Sequence, residues 1–346
     1  MGKILNKRLY KYITILSLVS IVSSAIAASV ILFWPQKNEH SIISFEVEQG
    51  MSLYGLAIKL NDKKIISNKR MFCLAVQLLG KSKKIPIGTF NIIDAKLNYQ
   101  IIDQLVFGIP EVKTVRILEG WNLKQIANHL SEVMNFDSVE VINLAINSSL
   151  LKDNNIPALS AEGYLFPDTY FFFSGDTPLF VLNKLISFNK KFWTKQHINK
   201  AKKLELTKHE IVTLASIIEG EAIYDSERAK ISAVYHNRLN IDMKLQADPT
   251  IQYIISDSPR RLLNRDLKIK SPYNTYQNKG LPPGPINSPS KSSLIAALYP
   301  EKNDFIYFVA NGDGYHTFST NEKDHNRAKR KLQKIRRQIR REQNTK

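Results

Sequence analysis

The sequence predicts an α+β protein set behind a single N-terminal transmembrane helix, and three observations predict it. Residues 12–34, "YITILSLVSIVSSAIAASVILFW", carry no charge. Two segments seventy positions apart repeat one pattern of strand, glycine turn and amphipathic helix. The second half mixes capped helical segments with a proline-rich loop and a hairpin signature. At 346 residues and 43% hydrophobic content, the chain is long enough for about two folded domains with real cores. Its single cysteine, Cys73, excludes an intramolecular disulfide and a cysteine-built zinc site. Within "KRMFCLAVQLLG" Cys73 reads as a small buried apolar residue.

At about 1.5 Å of rise per residue, the uncharged stretch makes a helix roughly 34 Å long, enough for a hydrocarbon core of about 30 Å. Lys3, Lys7, Arg8 and Lys11 precede it, and Trp34 and Pro35 close it. Cations gather on the cytoplasmic side of an anchor, so residues 1–11 are expected in the cytoplasm and everything after Pro35 outside it. "SSAIAA", residues 23–28, has the small-residue look of a signal cleavage site. The apolar run continues through "SVILFW", beyond the usual length of a signal's apolar core, and the anchor is the reading adopted. On either reading the globular part is extracytoplasmic, which removes nucleic acid from its expected partners. The formal charge is +18, and half of it lies in residues 327–346, where ten bases and one acid leave +9. Such a tail suits an anionic membrane or a polyphosphate, or is a solvated terminal helix whose basic end complements its dipole.

The repeat pairs "FEVEQGMSLYGLAIKL", from Phe45, with "VRILEGWNLKQIANHL", from Val115. Aligned on Gly50 and Gly120, the copies match Leu53 with Leu123, Leu56 with Ile126, Ala57 with Ala127 and Leu60 with Leu130. Each predicts a short alternating strand, a glycine turn, an N-cap at Ser52 or Asn122, and a helix with apolar residues at helical spacing. Two copies are too few for a solenoid. The first copy, with the following "GKSKKIPIGTFNI", resembles a LysM module, a βααβ unit that implies binding of N-acetylglucosamine-containing glycans. A strand-turn-helix without a ligand has the same pattern. Tyr54 and Trp121 are candidates for stacking on sugar faces, or for packing in a core or interface.

After a polar stretch at residues 147–155 the chain enters "AEGYLFPDTYFF", residues 161–172, with five aromatics among twelve positions. These suit a carbohydrate cleft with Glu162 and Asp168 as hydrogen-bonding partners, and equally a packed strand behind a Pro167–Asp168 turn. "TKHE" then sets Thr207 three positions before Glu210, a capping box that opens a helix through "IVTLASIIEGE". Ile211, Leu214, Ala215 and Ile218 form one stripe, and Val212 and Ile217 widen it until most of the helix is expected to be buried. Glu219 falls at the edge of that surface near the helix's C-terminal end, while Glu221, about 200° further round, points elsewhere. Desolvation and the negative end of the helix dipole both disfavour a charge on Glu219. A raised pKa is therefore expected there, as a general acid requires; the alternative is a glutamate that reaches solvent or pairs with Arg228 or Arg238.

A second helix, "ERAKISAVYHNRL", is expected to be capped by Asp225 or Ser226. After "KLQADPTIQY" comes the loop "SPYNTYQNKGLPPGPINSPS", residues 271–290, with five prolines and two glycines in twenty positions. This is rigid irregular backbone of the kind that walls clefts. "DFIYFVANGDGYHTFS" predicts two strands around an Asn-Gly-Asp-Gly turn. There is no G-x-S-x-G, H-E-x-x-H, P-loop or G-x-G-x-x-G. His316 and His325, with Asp313 or Asp324, match no metal-site spacing and read as turn and surface residues, so no metal and no cofactor is expected.

Taken in order, the N-terminal anchor, the LysM-like unit, "EGYLFPDTY", "LASIIEGEA", "SERAKISAVYHNRL", "MKLQADPTIQY", "SPYNTY", "GLPPGPINSPS" and "YFVANGDGYHTFS" through His325 resemble the endolytic murein transglycosylases, MltG or YceG-like, from about Phe45 to Arg327. The resemblance implies a lyase that cuts MurNAc–GlcNAc bonds within peptidoglycan strands and leaves 1,6-anhydro-MurNAc ends. It assigns catalysis to Glu219, the first acid of the family's E-x-E element. Gly220 stands where members often carry a basic residue, and is expected to loosen the helix end. One acid/base residue suffices for this chemistry. A retaining hydrolase needs a second carboxylate about 5 Å away and an inverting one needs it further off, whereas here the sugar's own C6 hydroxyl attacks C1 with a large effective-molarity advantage. Glu221 is then a candidate for orienting water or substrate, or a solvated helix end. Glu162, Gln246, Asp248, Tyr253 and Asn274 are candidates for the glycan cleft.

The organisation expected is a cytoplasmic N-terminus at 1–11, an anchor at 12–34, a LysM-like unit at 43–96, a second strand-turn-helix unit or linker at 97–155, an α+β catalytic domain at 156–326 and a basic tail at 327–346. The chain is expected on the plasma (inner) membrane, with nascent peptidoglycan strands, the membrane itself and cell-wall synthases as partners. A hydrolytic muramidase and a non-catalytic LysM-type scaffold are the alternatives.

Overall fold

The computed structural model describes residues 2–36, 42–48, 50–256 and 258–344. Two positions of the basic tail, Thr345 and Lys346, lie outside the described residues, as do the side chains of Lys3, Lys7 and Arg8 and, in the tail, those of Arg336 and residues 338–344. The chain falls into two compact units, Met1–Lys113 with Phe171–Asp176, and Thr114–Tyr170 with Thr177–Lys346.

The first unit opens with α1 (Gly2–Leu32). Its 24-residue segment Leu9–Leu32 is long and apolar enough to cross a bilayer, and large apolar side chains such as Leu16 stand exposed along it. The helix stops at Leu32, two residues short of the predicted end, because the chain there is taken up by the folded part of the same unit. Asn98 donates through Nδ2 to the Ile31 carbonyl at 2.9 Å and through its backbone N–H to the Trp34 carbonyl at 3.3 Å. Gln36 Nε2 donates to Asn98 Oδ1 at 2.7 Å, and Phe33 meets Tyr99 edge-on at 5.3 Å. A helix end has orphan carbonyls to satisfy, and here a buried asparagine takes one.

Then follow β1 (Ile42–Val47), α2 (Leu53–Asp62), α3 (Lys69–Leu78), β2 (Gly88–Ile93) and α4 (Asn98–Phe107). β1 runs antiparallel to β2 with Phe45 opposite Phe90, and strand alternation sends Phe45, Val47, Phe90 and Ile92 inward. Leu56 and Leu60 of α2, Phe72 and Val76 of α3, and Ile101 and Leu105 of α4 close the core. Cys73 is half-buried rather than interior, and burial pushes its thiol up.

The second unit takes in most of β3 (Val112–Arg116), then α5 (Leu123–Met134), α6 (Ser138–Ala145) and α7 (Ser148–Asp153), and the start of β4 (Thr169–Phe173). β3 and β4 form a two-stranded sheet. The repeat read from the sequence is a repeat of local structure. Gly50 and Gly120 both sit at positive φ, +77° and +75°, where glycine carries no Cβ penalty. Ser52 accepts from the Gly55 N–H at 3.0 Å, and Asn122 from that of Gln125 at 2.9 Å.

Next come α8 (Pro178–Phe192), α9 (Lys195–Lys203), α10 (Lys208–Glu221), α11 (Asp225–Asn240), α12 (Asp248–Ile254), α13 (Lys291–Leu298), the hairpin β5 (Tyr307–Ala310) and β6 (His316–Ser319), and α14 (Glu322–Asn344). In α10 every residue from Ile211 to Ile218 is buried, and the predicted Thr207/Glu210 capping box is present at 3.2 and 2.8 Å. α11 departs from expectation: Tyr224 holds its cap position without a side-chain bond, and Asp225 is already helical. Residues 271–290 contain no helix or strand, as their prolines require. Residues 284–290 are nonetheless interior and run along α10, where the Ile286 N–H donates to Ser216 Oγ at 3.1 Å and Asn287 Nδ2 to the Ser216 carbonyl at 2.9 Å.

Candidate active site

The buried helix α10 carries Glu219 in its last turn, where the apolar run ends, and the side chain is only 7% exposed. It is not left alone there. Oε2 accepts from the backbone N–H of Ser290 at 2.9 Å and from its hydroxyl at 2.5 Å. The Arg228 guanidinium lies 3.2 Å from each carboxylate oxygen, Nη2 donating to Oε1 and Nη1 facing Oε2. Arg228 is held in turn by Asp225 Oδ1 at 2.7 Å and Ser293 Oγ at 2.5 Å, which is why Asp225 does not cap α11. Of the two arginines named as possible partners, Arg228 takes the role. Arg238 donates instead to the carbonyls of Ile306 and Leu245. Burial and the helix dipole oppose a charge on Glu219, as the sequence implies, but a guanidinium and two further donors act in the opposite sense.

Ser290 is also the N-cap of α13, its oxygen accepting from the Ser293 N–H at 3.1 Å while its hydrogen goes to Glu219. Two residues earlier, Ser288 exchanges backbone bonds with the turn before α5. The Gly120 N–H donates to the Ser288 carbonyl at 2.9 Å and the Ser288 N–H to the Trp121 carbonyl at 2.8 Å. A Cβ added at Gly120 would stand 3.7 Å from Cγ of Glu219, so this turn lies against the glutamate. It carries Glu119, whose pKa is raised by partial burial first and then by the charge of Glu219, with Arg228 acting against both. Glu119, Ser290 and Ser293 were not singled out from the sequence. The available signals were the "LEGWN" turn of the second repeat copy and the serine run 288–293.

Glu221 belongs to a different network. Its carboxyl is turned inward to accept from the Tyr235 hydroxyl at 3.0 Å, and burial, with the charge of Asp248, pushes its pKa up to about 7. Gly220 between the two acids does not loosen the helix, which continues through Glu221. A Cβ there would come within 2.6 Å of Pro249 Cβ, so glycine is what allows α12 to approach. Asp248, exposed at the head of α12, accepts from the Tyr276 hydroxyl at 2.5 Å.

Of the other residues named as cleft candidates, Gln246 is exposed and Tyr253 half-buried, 5.0 Å from Tyr273. Glu162 is 5% exposed. Both its oxygens accept from the Leu123 N–H that opens α5, at 3.0 and 3.1 Å, and burial pushes its pKa up to about 7 despite that bond and one from Tyr253. Asn274 is wholly buried, clamping the carbonyls of Leu267 and Ile269 and accepting from the Tyr276 N–H. Glu221 and Asp248 thus meet near one end of α12, Glu162 and Tyr253 near the other, and neither group contains Glu219. The β5–β6 hairpin is pinned to α11 by Glu227, whose carboxylate meets the His316 N–H at 3.1 Å and its Nδ1 at 2.8 Å. At the hairpin tip Tyr315 stacks on Tyr224 at 4.2 Å.

Residues 45–331 match the model of the YceG-like family. The chain is 32% identical over 311 residues to the endolytic murein transglycosylase of Bacillus subtilis strain 168, covering 86% of each chain. It is 29% identical over 245 residues to the endolytic murein transglycosylase of Streptococcus pneumoniae serotype 2 strain D39, covering 63% of this chain and 44% of that one. The crystal structure of a yceG-like protein of Listeria monocytogenes is similar at a TM-score of 0.58 and 31% identity, over 83% of this chain and 98% of that one.

Proposed function

The chain belongs to the YceG-like family, and from that premise we propose that it is a membrane-anchored endolytic peptidoglycan transglycosylase whose acid/base residue is Glu219. The observation that carries the reading is one carboxyl, buried to 7% exposure and held by Arg228 and Ser290. Glu219 protonates the glycosidic oxygen as the bond to C1 of MurNAc breaks. As carboxylate it then takes the proton of the C6 hydroxyl, whose oxygen bonds to C1, so the 1,6-anhydro ring closes without water and the acid form is restored. Among the described residues Oε1 meets Arg228 and no second donor, so it is the oxygen with room for that proton; Oε2 accepts twice from Ser290 and also faces Arg228 Nη1. Arg228 and Ser290 position the carboxyl and stabilise the charge it carries between the two steps.

Gln246, Asp248 and Tyr253 are accessible enough to line the glycan cleft, with Glu221 oriented through α12, while Glu162 and Asn274 act on the cleft through the backbone they hold. The turn at 118–122 joins the catalytic domain of residues 156–326, since it touches Glu219. Residues 43–96 form the LysM-like glycan-binding unit. The N-terminus lies in the cytoplasm and the remainder outside the plasma membrane, where cell-wall synthases are partners for strands still being made.

Digestion of purified peptidoglycan by the full chain, followed by mass spectrometry, tests the reaction. Products one water lighter than reducing muropeptides are expected. Ordinary reducing ends would instead mean a muramidase, which needs a second carboxylate beside Glu219. Sedimentation with sacculi without any cleavage would leave only the scaffold.

A further inference from the structure

A cavity of about 650 Å³ lies at the other end of α10, within the size range of small-molecule sites, roughly 300–1,000 Å³. It is built entirely from the second unit: the 154–157 turn after α7, the last turns of α8, and the first turn of α10. Lys208 at its edge is eleven residues from Glu219 along one helix, about 16 Å, and Glu219, Arg228 and Ser290 are not among its lining residues.

Its wall combines three kinds of surface. Ile156, Ile186, Tyr164 and Trp193 supply apolar and ring area. Asn189, 2% exposed, stands among them. Its Oδ1 accepts from Trp193 Nε1 at 3.3 Å, while its Nδ2 has no hydrogen-bond partner among the described residues. Buried amide donors are rarely left so, and an acceptor entering the cavity that Asn189 lines would satisfy this one. Lys190 and Lys208 are exposed at the mouth, Lys208 Nζ lying 5.7 Å from the Trp193 ring centroid. The acid in the wall, Glu210, is already engaged in capping Thr207. Both ring nitrogens of His209 are bonded as well, to Tyr164 and Pro283.

The ligand that completes this wall carries a carbonyl oxygen for Asn189, a carboxylate for the two lysines, and small apolar groups between them. We propose that the cavity binds a short peptide ending in a free carboxylate. Resting on the reading of the preceding section, that peptide is the branch borne by the same polymer whose sugar chain meets Glu219. The enzyme would then sense the peptide and the glycosidic bond at opposite ends of one rigid helix.

The chain has three tryptophans, Trp34, Trp121 and Trp193, so the indole N–H signals of the full chain in detergent micelles form a readable set, with Trp193→Phe identifying one. N-acetyl-alanyl-alanine is the probe. Saturable movement of the Trp193 signal alone is expected. The C-terminal amide of the same dipeptide should bind roughly tenfold more weakly, and the Lys190→Glu/Lys208→Glu variant should show a similar loss with the Trp34 and Trp121 signals unmoved. No movement, equal binding of acid and amide, or movement caused by N-acetylglucosamine in place of the peptide would overturn the assignment. Glu219→Gln should bind the probe as wild type does. A chain that binds the probe yet cuts no peptidoglycan would sink the proposed reaction and keep the cavity; a chain that cuts but ignores the probe would do the reverse.

Discussion

The hydroxyl of Ser290 serves two partners at once, accepting from Ser293 to cap α13 and donating to Glu219. Ser290→Ala should lower stability by about 1 kcal/mol, the usual worth of a cap, and should lower turnover as well, read by denaturant unfolding beside a peptidoglycan assay. Glu219→Gln should lower turnover by roughly 10²–10⁴-fold, the range of general acid/base catalysis, and should cost some stability too, because an amide oxygen kept on Ser290 turns N–H donors towards the Arg228 guanidinium. Arg228→Met is expected to be the most destabilising of the three, by about 3–5 kcal/mol, since it removes a buried guanidinium that Glu219, Asp225 and Ser293 all engage. Glu221 supplies a pH dependence. A carboxyl that ionises at 4.5 when unfolded and at about 7 when folded keeps its proton longer in the folded state. Its contribution is therefore full below pH 4.5 and is lost as pH rises to 7. Glu221→Gln stays neutral throughout, so its stability relative to wild type should climb across that window by up to roughly 3 kcal/mol, measurable by unfolding at pH 4.5 and pH 8. Glu219 was legible in the sequence because its aliphatic approach and its neighbour two positions on are local. Glu119, a hundred positions away, and Ser290, 71 positions away, are brought in by a turn and a loop that no periodicity encodes.

Gly220 decides how closely two helices approach. On helix propensity alone, alanine would stabilise this position by about 1 kcal/mol. With its Cβ 2.6 Å from Pro249, α12 would have to retreat, and the net effect of Gly220→Ala should be a loss of about 1–3 kcal/mol. The sign of the shift in the unfolding midpoint discriminates the two. The caps at Ser52, Asn122 and Thr207 were legible because each is settled within four residues. The cap of α11 was not, because Asp225 finds a stronger partner in Arg228. The prolines of residues 271–290 announced irregular backbone. That residues 284–290 are interior depends on Ser216, whose hydroxyl and carbonyl receive two of their donors.

For the whole molecule, the proposed topology has a direct check. In a Cys73→Ser background, which removes the chain's single thiol, Leu159→Cys places a new one at a site 93% exposed. A membrane-impermeant maleimide should label it in intact spheroplasts, and labelling only after lysis would reverse the orientation. The uncharged stretch announced the helix in the sequence, but not how that helix ends. The Ile31 and Trp34 carbonyls are held by Asn98, and Gln36 is held to Asn98 beside them. A membrane helix followed by a limp tether lets its cargo swivel and wander; one laced to its cargo behaves as a mast stepped into a deck. On the proposed topology the first unit would keep a fixed height and heading above the lipid, and a glycan held by the proposed LysM-like unit would have to pass within that short stature.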